Sequence, residues 1–327
     1  MKTLVTGGSG FIGSAVVLEL LKRGEALRVL VRSKMQPGNL AGMDIELVEG
    51  DLLGPDSLLR ALDGCECVYH IAAVYANWLP DRSVIVRGNV QGTRNMLQAC
   101  VERKIERVVY TSSVAALGAH GKTPANESAQ FNLAETGDVY HISKYQAEQI
   151  ALEFAAQGLP IVIVNPSSPV GPRDIKPTPT GALILSVLKK QLPAYVEGGI
   201  NVIDVEDVAI GHIRAMEKGK AGERYVLGNA NLSIRDYFQM IGEVGGVQAP
   251  SLRLPTTVAI ATGHLYEAMA TVTRQPPPTT AAWVKIGSRY SFWDSSKAMR
   301  ELGLPQTPVR ESLKKAIDWF RDKQYIH

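Results

Sequence analysis

Three glycines spaced three apart, Gly7, Gly10 and Gly13, stand at the first turn of the chain, in the run LVTGGSGFIGSAVV. Residues 3–6 before them form a short apolar stretch that predicts a strand, and residues 14–23 after them carry a helical pattern. Glycine weakens a helix or strand interior by roughly 0.5–1 kcal/mol, so the run needs a reason. Its position supplies one. Gly7 allows a tight turn out of the strand, Gly10 lets backbone N–H groups approach a bound group, and Gly13 lets the helix lie close on the strand. The helix N-terminus adds positive potential, and a pyrophosphate suits such a cradle. A strand, this turn and a helix heading a βαβ unit therefore predict a dinucleotide site that includes Gly7, Gly10, Phe11, Ile12 and Gly13. The plainer alternative is a glycine-rich turn with no ligand.

The first half of the chain repeats this rhythm. Strands are predicted over residues 27–31, 45–49, 67–71, 107–111 and 161–165, and helices over 56–62, 84–103 and 139–156. The alternation implies an α/β fold, a doubly wound parallel sheet of the Rossmann type with helices on both faces. After Asn165 the run PSSPVGPRDIKPTPTG reads as a loop against a ligand, and residues 311–321 form an amphipathic closing helix. The expected division is a dinucleotide-binding domain over 1–165. Residues 166–327 would be mainly a smaller substrate-binding lobe, with some segments returning to the sheet. Residues 258–273 are apolar and rich in small side chains, with Tyr266 and Met269 among the bulkier ones. A helix packed on the second lobe, a cap over a lipophilic substrate and a contact with a membrane surface all fit that pattern.

Composition narrows the partners. The 35 basic and 32 acidic residues leave a formal net charge of +3, which argues against nucleic acid. Cys65, Cys67 and Cys100 are sparse and odd in number, as in a reducing compartment, and Cys65-Glu66-Cys67 lacks the spacing of a metal site. No run approaches the ~18 apolar residues of a membrane helix, and Met1 leads almost directly into Thr3-Leu4-Val5. A cytoplasmic protein with no metal and no integral membrane segment is the expectation.

Two further features carry chemistry. NAD binders usually place an acidic residue at the end of the second strand to accept from the ribose 2′-OH. Here Leu30-Val31 is followed by Arg32, which would pair with a 2′-phosphate; NADP(H) is favoured and NAD(H) remains possible. The plainer use of Arg32 is as a solvated surface cation. Tyr140 and Lys144, in YHISK, share one helix face, and a nearby ammonium favours the phenolate and so lowers the tyrosine's pKa. A preceding strand ends in Thr111-Ser112-Ser113, whose hydroxyls could meet a substrate oxygen opposite Tyr140.

The GxxGxxG spacing, TSS and YHISK together resemble the extended short-chain dehydrogenase/reductases, the NAD-dependent epimerase/dehydratase family. The resemblance implies a Ser-Tyr-Lys triad of Ser113, Tyr140 and Lys144, with Ser112 the fallback and strand-end capping the alternative for both serines. It also implies that Asn89, in RGNVQGT, lies beneath the nicotinamide, unless it only bridges helices or backbone. Asp51 and Leu52, in GDL, match the adenine side, although Asp51 could equally cap its own loop. Ala72 and Ala73, in HIAA, match the backbone passing the cofactor, and His70 there reads as structural. Pro166 and Ser168, in NPSSPVGP, match the loop on the nicotinamide side, while VIDVEDVA, GERYVLG and SSKAMRELG match later segments.

Two groups within the family are most similar: the dihydroflavonol 4-reductase-like group and the hopanoid-associated sugar epimerases. The run VYANWLPD, with Tyr75 and Trp78 as candidate substrate residues, resembles the second group, although Val74 and Ala76 stand where polar residues are expected. Arg32 tilts the balance to a reductase of a small-molecule ketone or aldehyde, because an epimerase returns its hydride and needs only retained NAD. Val114, Ala115 and Ala116 after the serines leave no acid pair for a dehydratase. A non-catalytic NADP(H)-binding sensor is a third alternative, disfavoured because Tyr140 and Lys144 are both present. By resemblance a homodimer is also expected, through residues 84–103 and 139–156, although those stripes could pack only on their own sheet.

Overall fold

The computed structural model describes residues 2–75 and 78–326. Strands β1 (Lys2–Thr6), β2 (Ala26–Val31), β3 (Glu46–Glu49), β4 (Cys67–His70) and β5 (Arg107–Thr111) alternate with helices. These helices are α1 (Phe11–Lys22), α2 (Pro55–Leu62) and a long one that begins as α3 (Ser83–Val86). The long helix passes through one π turn (Arg87–Gln91) and continues as α4 (Gly92–Glu102). A short β6 (Gly121–Ala125), α5 (Val139–Ala156) and β7 (Ile161–Pro166) follow.

The second half contributes β8 (Ser168–Val170), α6 (Pro179–Leu188), β9 (Ala194–Tyr195), β10 (Gly199–Asp204), α7 (Val205–Lys218) and β11 (Arg224–Leu227). Next come β12 (Ala230–Ser233), α8 (Ile234–Gly245), β13 (Leu252–Arg253), α9 (Thr256–Thr273) and α10 (Ala281–Gly287). β14 (Ser291–Trp293), α11 (Ser296–Leu302) and α12 (Val309–Asp322) complete the chain.

Seven strands form one parallel sheet in the order β11-β7-β5-β4-β1-β2-β3. Its inner strands are continuous apolar runs because both faces are covered, as a parallel sheet requires. One face packs on α1, α7 and α11 through Val16, Leu20, Val208 and Leu302, and the other on α2, α4 and α5 through Leu58, Met96 and Ala151. The chain runs outward from β1 to β3 and then returns to β4 on the other side of β1. The strand order reverses between β1 and β4, and such folds hold ligands beyond the carboxyl ends of the strands at that point.

Beyond the sheet, β8, β10 and β12 form a small sheet covered by α6, α8 and α12 around Val202, Tyr237 and Phe320. β8 corrects the expectation of an uninterrupted loop after Asn165. Its residues pair with Val202, Ile203 and Asp204, and Pro169 is tolerated because β8 lies at the sheet's edge. Thr178 caps α6 and Pro179 occupies its first turn, so that run also ends in a helix.

α9 packs on α10 through a face of small residues, Ala259, Gly263 and Ala270, while Val258, Leu265, Met269 and Val272 are exposed. Among the described residues no helix is long and apolar enough to cross a membrane. Cys65, Cys67 and Cys100 are buried, and no His, Cys, Asp or Glu cluster suited to a metal occurs among the described residues.

Candidate active site

The glycine turn leaves the carboxyl end of β1. Gly7 adopts φ +73°, and a side chain there would place Cβ 2.6 Å from the Ala72 nitrogen, where the segment after β4 passes. A Cβ on Gly13 would lie 2.1 Å from the Gly7 carbonyl oxygen, so α1 can sit this close only with glycine. Gly10 is different: its Cβ would meet only the Gly7 oxygen, at 3.3 Å. The open space is therefore beside Gly10, which caps α1 and accepts from Ser14 N–H. By helix geometry the N–H groups of Phe11, Ile12 and Gly13 have no partner within the helix and face outward. A cradle shaped by backbone, with donors at a helix end, fits a dinucleotide pyrophosphate.

Residues that sequence reasoning missed hold this cradle. Thr6 Oγ1 accepts from the N–H groups of Ile71 and Ala72, each at 3.2 Å, and shares a 2.8 Å hydrogen bond with His70 Nδ1. One hydroxyl thereby ties β1 to the segment carrying Ala72 and Ala73. His70 is buried and also meets Thr93, and burial pulls its pKa down to about 3, so it is neutral and structural. Asn39 donates to the Ser9 carbonyl at 3.3 Å and the Arg173 carbonyl at 2.9 Å, joining the glycine turn to the loop after β8.

On the far side of the cradle, Arg32 follows β2, is exposed, and has no hydrogen bond or ion pair among the described residues. Asp51 accepts from Leu53 N–H at 2.8 Å, so one carboxylate oxygen caps its own loop, and Leu52 packs against Gly92.

Across from the glycine turn, β5 and α5 carry the residues that the sequence singled out for proton transfer. Asp138 caps α5, accepting from His141 N–H at 2.9 Å and sharing a 2.6 Å bond with His141 Nδ1. Tyr140 follows in the first turn and Lys144 one turn later. Ser113, just past β5, accepts from Ala115 N–H at 3.1 Å. Ser112 is buried, its hydroxyl without a hydrogen-bond partner among the described residues.

Lys144 is buried and donates to the Thr111 carbonyl at 2.9 Å, with its ammonium 5.4 Å from the Tyr110 ring centre. Burial pulls its pKa down to about 8, and Glu148 opposes that fall. Burial also pushes Tyr140 well above the ordinary phenol range; Ser113 opposes this and the Asp138 charge adds to it. The expected lowering of Tyr140 by Lys144 is thus not present: burial wins, and the ammonium is directed to a backbone carbonyl.

Asn89 lies in the π turn, fully enclosed. Its Oδ1 accepts from Val74 N–H at 2.6 Å, and its Nδ2 donates to the Val74 carbonyl at 3.1 Å and to Ser143 Oγ at 2.9 Å. It therefore fixes the backbone after β4 against α5. Tyr75 packs on Tyr140 with ring centres 4.4 Å apart and the planes tilted by 30°, and Trp283 of α10 meets His141 edge-on at 6.4 Å. Trp78 is half-buried, Pro166 is buried at the end of β7 and Ser168 is half-buried in β8; Ala76 lies outside the described residues.

Glu148 is a further group not singled out from sequence. It is fully buried on α5, pairs with Arg224 at 3.2 Å and accepts from Asn165 at 2.5 Å, and Asn165 in turn donates to the Ser113 carbonyl at 3.1 Å.

The chain is similar to known proteins along its whole length. A model of the NAD dependent epimerase/dehydratase family matches residues 3–228. A Synechocystis protein named "Putative dihydroflavonol 4-reductase" is 43% identical, covering 98% of this chain and 95% of its own. "Sterol demethylase protein B" of Methylococcus capsulatus is 33% identical over both full lengths. Among solved structures, gox2253 superposes with TM-score 0.88 at 42% identity, covering 99% of each chain. PA4631, titled a nucleoside-diphosphate-sugar epimerase from Pseudomonas aeruginosa, superposes with TM-score 0.80 at 29% identity, covering 100% of this chain and 99% of its own.

Proposed function

The chain belongs to the NAD-dependent epimerase/dehydratase family, and within it we propose an NADP(H)-dependent reductase that turns a ketone or aldehyde into an alcohol. The observation that carries this reading is Arg32: an exposed, unpaired guanidinium at the end of β2, where a 2′-OH binder would need an acceptor. The glycine cradle would hold the pyrophosphate, Arg32 the 2′-phosphate, and Lys144 the nicotinamide ribose. When bound, NADP(H) supplies the hydride.

The chain's own residues would manage the oxygen and its proton. Ser113 and Tyr140 hold the carbonyl oxygen, and Tyr140 gives up its proton as negative charge develops there. Burial suits Tyr140 to this task, because it keeps the phenol neutral until the substrate oxygen needs the proton. Lys144, with a pKa near neutrality, restores that proton. Asn89 keeps the Val74 backbone in place beside Tyr75. The aromatic side chains Tyr75, Tyr140 and Trp283 favour a substrate with a flat apolar body. Relatives named for a dihydroflavonol 4-reductase and for a farnesyl-dihydroquinoline-oxide ketoreductase of Stigmatella aurantiaca, 29% identical, support the carbonyl-reducing reading.

The test is fluorescence titration with NADPH and NADH after identifying any nucleotide that co-purifies, followed by a screen of carbonyl compounds. Preferred, exchangeable NADPH, weakened in Arg32→Asp, and turnover abolished in Tyr140→Phe are the expected results. Tightly retained NAD with no NADPH preference overturns the assignment and points to an epimerase, the activity named for PA4631.

A further inference from the structure

Glu148 takes no part in the steps above, yet it is 0% exposed, and a carboxylate so placed is costly unless its site gives it partners. It has two. Oε2 accepts from Asn165 Nδ2 on β7, and Oε1 pairs with Arg224 on β11. Asn165 Nδ2 also donates to the Ser113 carbonyl, so the carboxylate reaches the end of β5 through one amide. On α5 itself, Tyr140, Lys144 and Glu148 are spaced one turn apart and share one face. Two strands and the helix carrying Tyr140 and Lys144 therefore meet at this one side chain, and Asn165 extends the link to the turn after β5.

We propose that Glu148 is a positioning residue, which fixes Ser113 through Asn165 and whose negative charge supports the Lys144 ammonium. This rests on the assignment of Lys144 to the cofactor. Lys144 faces Tyr140 and Glu148 from its own helix, the Tyr110 ring and Thr111 carbonyl from β5, and neutral His70 from β4. Of these, Glu148 is the group whose charge opposes the effect of burial on Lys144. Arg224 is paired with Glu148 and one-fifth exposed; it does not act on Lys144 comparably.

The experiment measures NADPH affinity by fluorescence from pH 6 to 10 for the full chain and four variants. In the wild type, affinity falls through an alkaline limb as Lys144 loses its proton, and Lys144→Met removes that limb. Glu148→Gln, which keeps shape but not charge, moves the midpoint down by about half a pH unit or more, roughly a threefold change in the protonation ratio. Glu148→Asp retains the charge and restores the midpoint toward the wild-type value. Should Glu148→Gln fail to fold, the double variant Glu148→Met with Arg224→Met removes the buried carboxylate together with its half-buried partner, a replacement that cores often tolerate, and lowers the midpoint in the same sense. A limb that disappears in Lys144→Met but stays fixed in folded Glu148→Gln or in the double variant overturns the role of Glu148 alone. A limb that survives Lys144→Met refutes the cofactor assignment of Lys144, and the role of Glu148 falls with it.

Discussion

Gly13 and Gly10 provide a paired test of what the glycine turn is for. Alanine at Gly13 places a methyl carbon 2.1 Å from the Gly7 oxygen, 2.7 Å from its carbonyl carbon and 2.9 Å from the Gly8 Cα. All three are backbone atoms, so no rotamer relieves the overlap and α1 must lift from the turn. Overpacking of this kind costs about 3 kcal/mol at the upper end of its usual range. Alanine returns at most about 1 kcal/mol in helix propensity, which leaves a net loss of about 2 kcal/mol. Alanine at Gly10 meets one atom at 3.3 Å and costs the fold little, but its methyl enters the space proposed for the pyrophosphate. Urea denaturation and NADPH titration on the same preparations separate the two effects. Gly13→Ala is expected to unfold at lower urea by that amount. Gly10→Ala is expected to match the wild type in urea and to bind NADPH at least about tenfold more weakly, some 1.4 kcal/mol. The reasoning is refuted if Gly13→Ala unfolds with the wild type, or if Gly10→Ala keeps full affinity.

Other perturbations follow from the same contacts. Thr6→Val removes the acceptor for Ala72 N–H and leaves Ile71 N–H only the Thr6 carbonyl, and should cost about 1–2 kcal/mol in urea while also weakening NADPH binding. Asn89→Ala frees both polar groups of Val74, and should raise hydrogen exchange at Val74 and Tyr75 with a smaller effect on global stability. Lys144 gives a stability test. Its folded pKa of about 8 lies below the ordinary lysine value of 10.5, so the unfolded chain binds that proton more tightly and the penalty is fully present below pH 8. Raising pH from 8 toward 10.5 relieves it. Wild type should therefore gain on Lys144→Met across that window by up to about 3 kcal/mol, read as the difference in urea unfolding free energy.

The parallel sheet was legible because its strands are buried on both faces and so appear as uninterrupted apolar runs. The bounds predicted for β5 and α5, 107–111 and 139–156, coincide with Arg107–Thr111 and Val139–Ala156. Tyr140 and Lys144 were equally legible, since helix periodicity alone puts them on one face. β8 was hidden because Pro169 argues against a strand, and only its place at the edge of a sheet completed by β10 makes it possible. The electrostatics were hidden too: periodicity brought lysine to tyrosine, but burial, a property of the finished fold, decides which way Tyr140 shifts. Asn39, Thr6 and Glu148 escaped notice because their partners are remote in sequence. Arg173 is 134 residues from Asn39, and Arg224 is 76 from Glu148.

The π turn at Arg87–Gln91 has a consequence for length variation in this helix. A π turn holds about one residue more than the α turn it replaces, so deletion of Val90 or Gln91 would let α3 and α4 join as one regular helix. That shorter chain would gain uniform backbone bonding and keep its apolar seam along α4. Every residue before the deletion would turn by about 100° about the axis, and Asn89 with it. Val74 would lose the side chain that bonds both its polar groups. The extra residue acts as a phase setting, and loss of one codon there would detach the segment bearing Tyr75 while improving the helix.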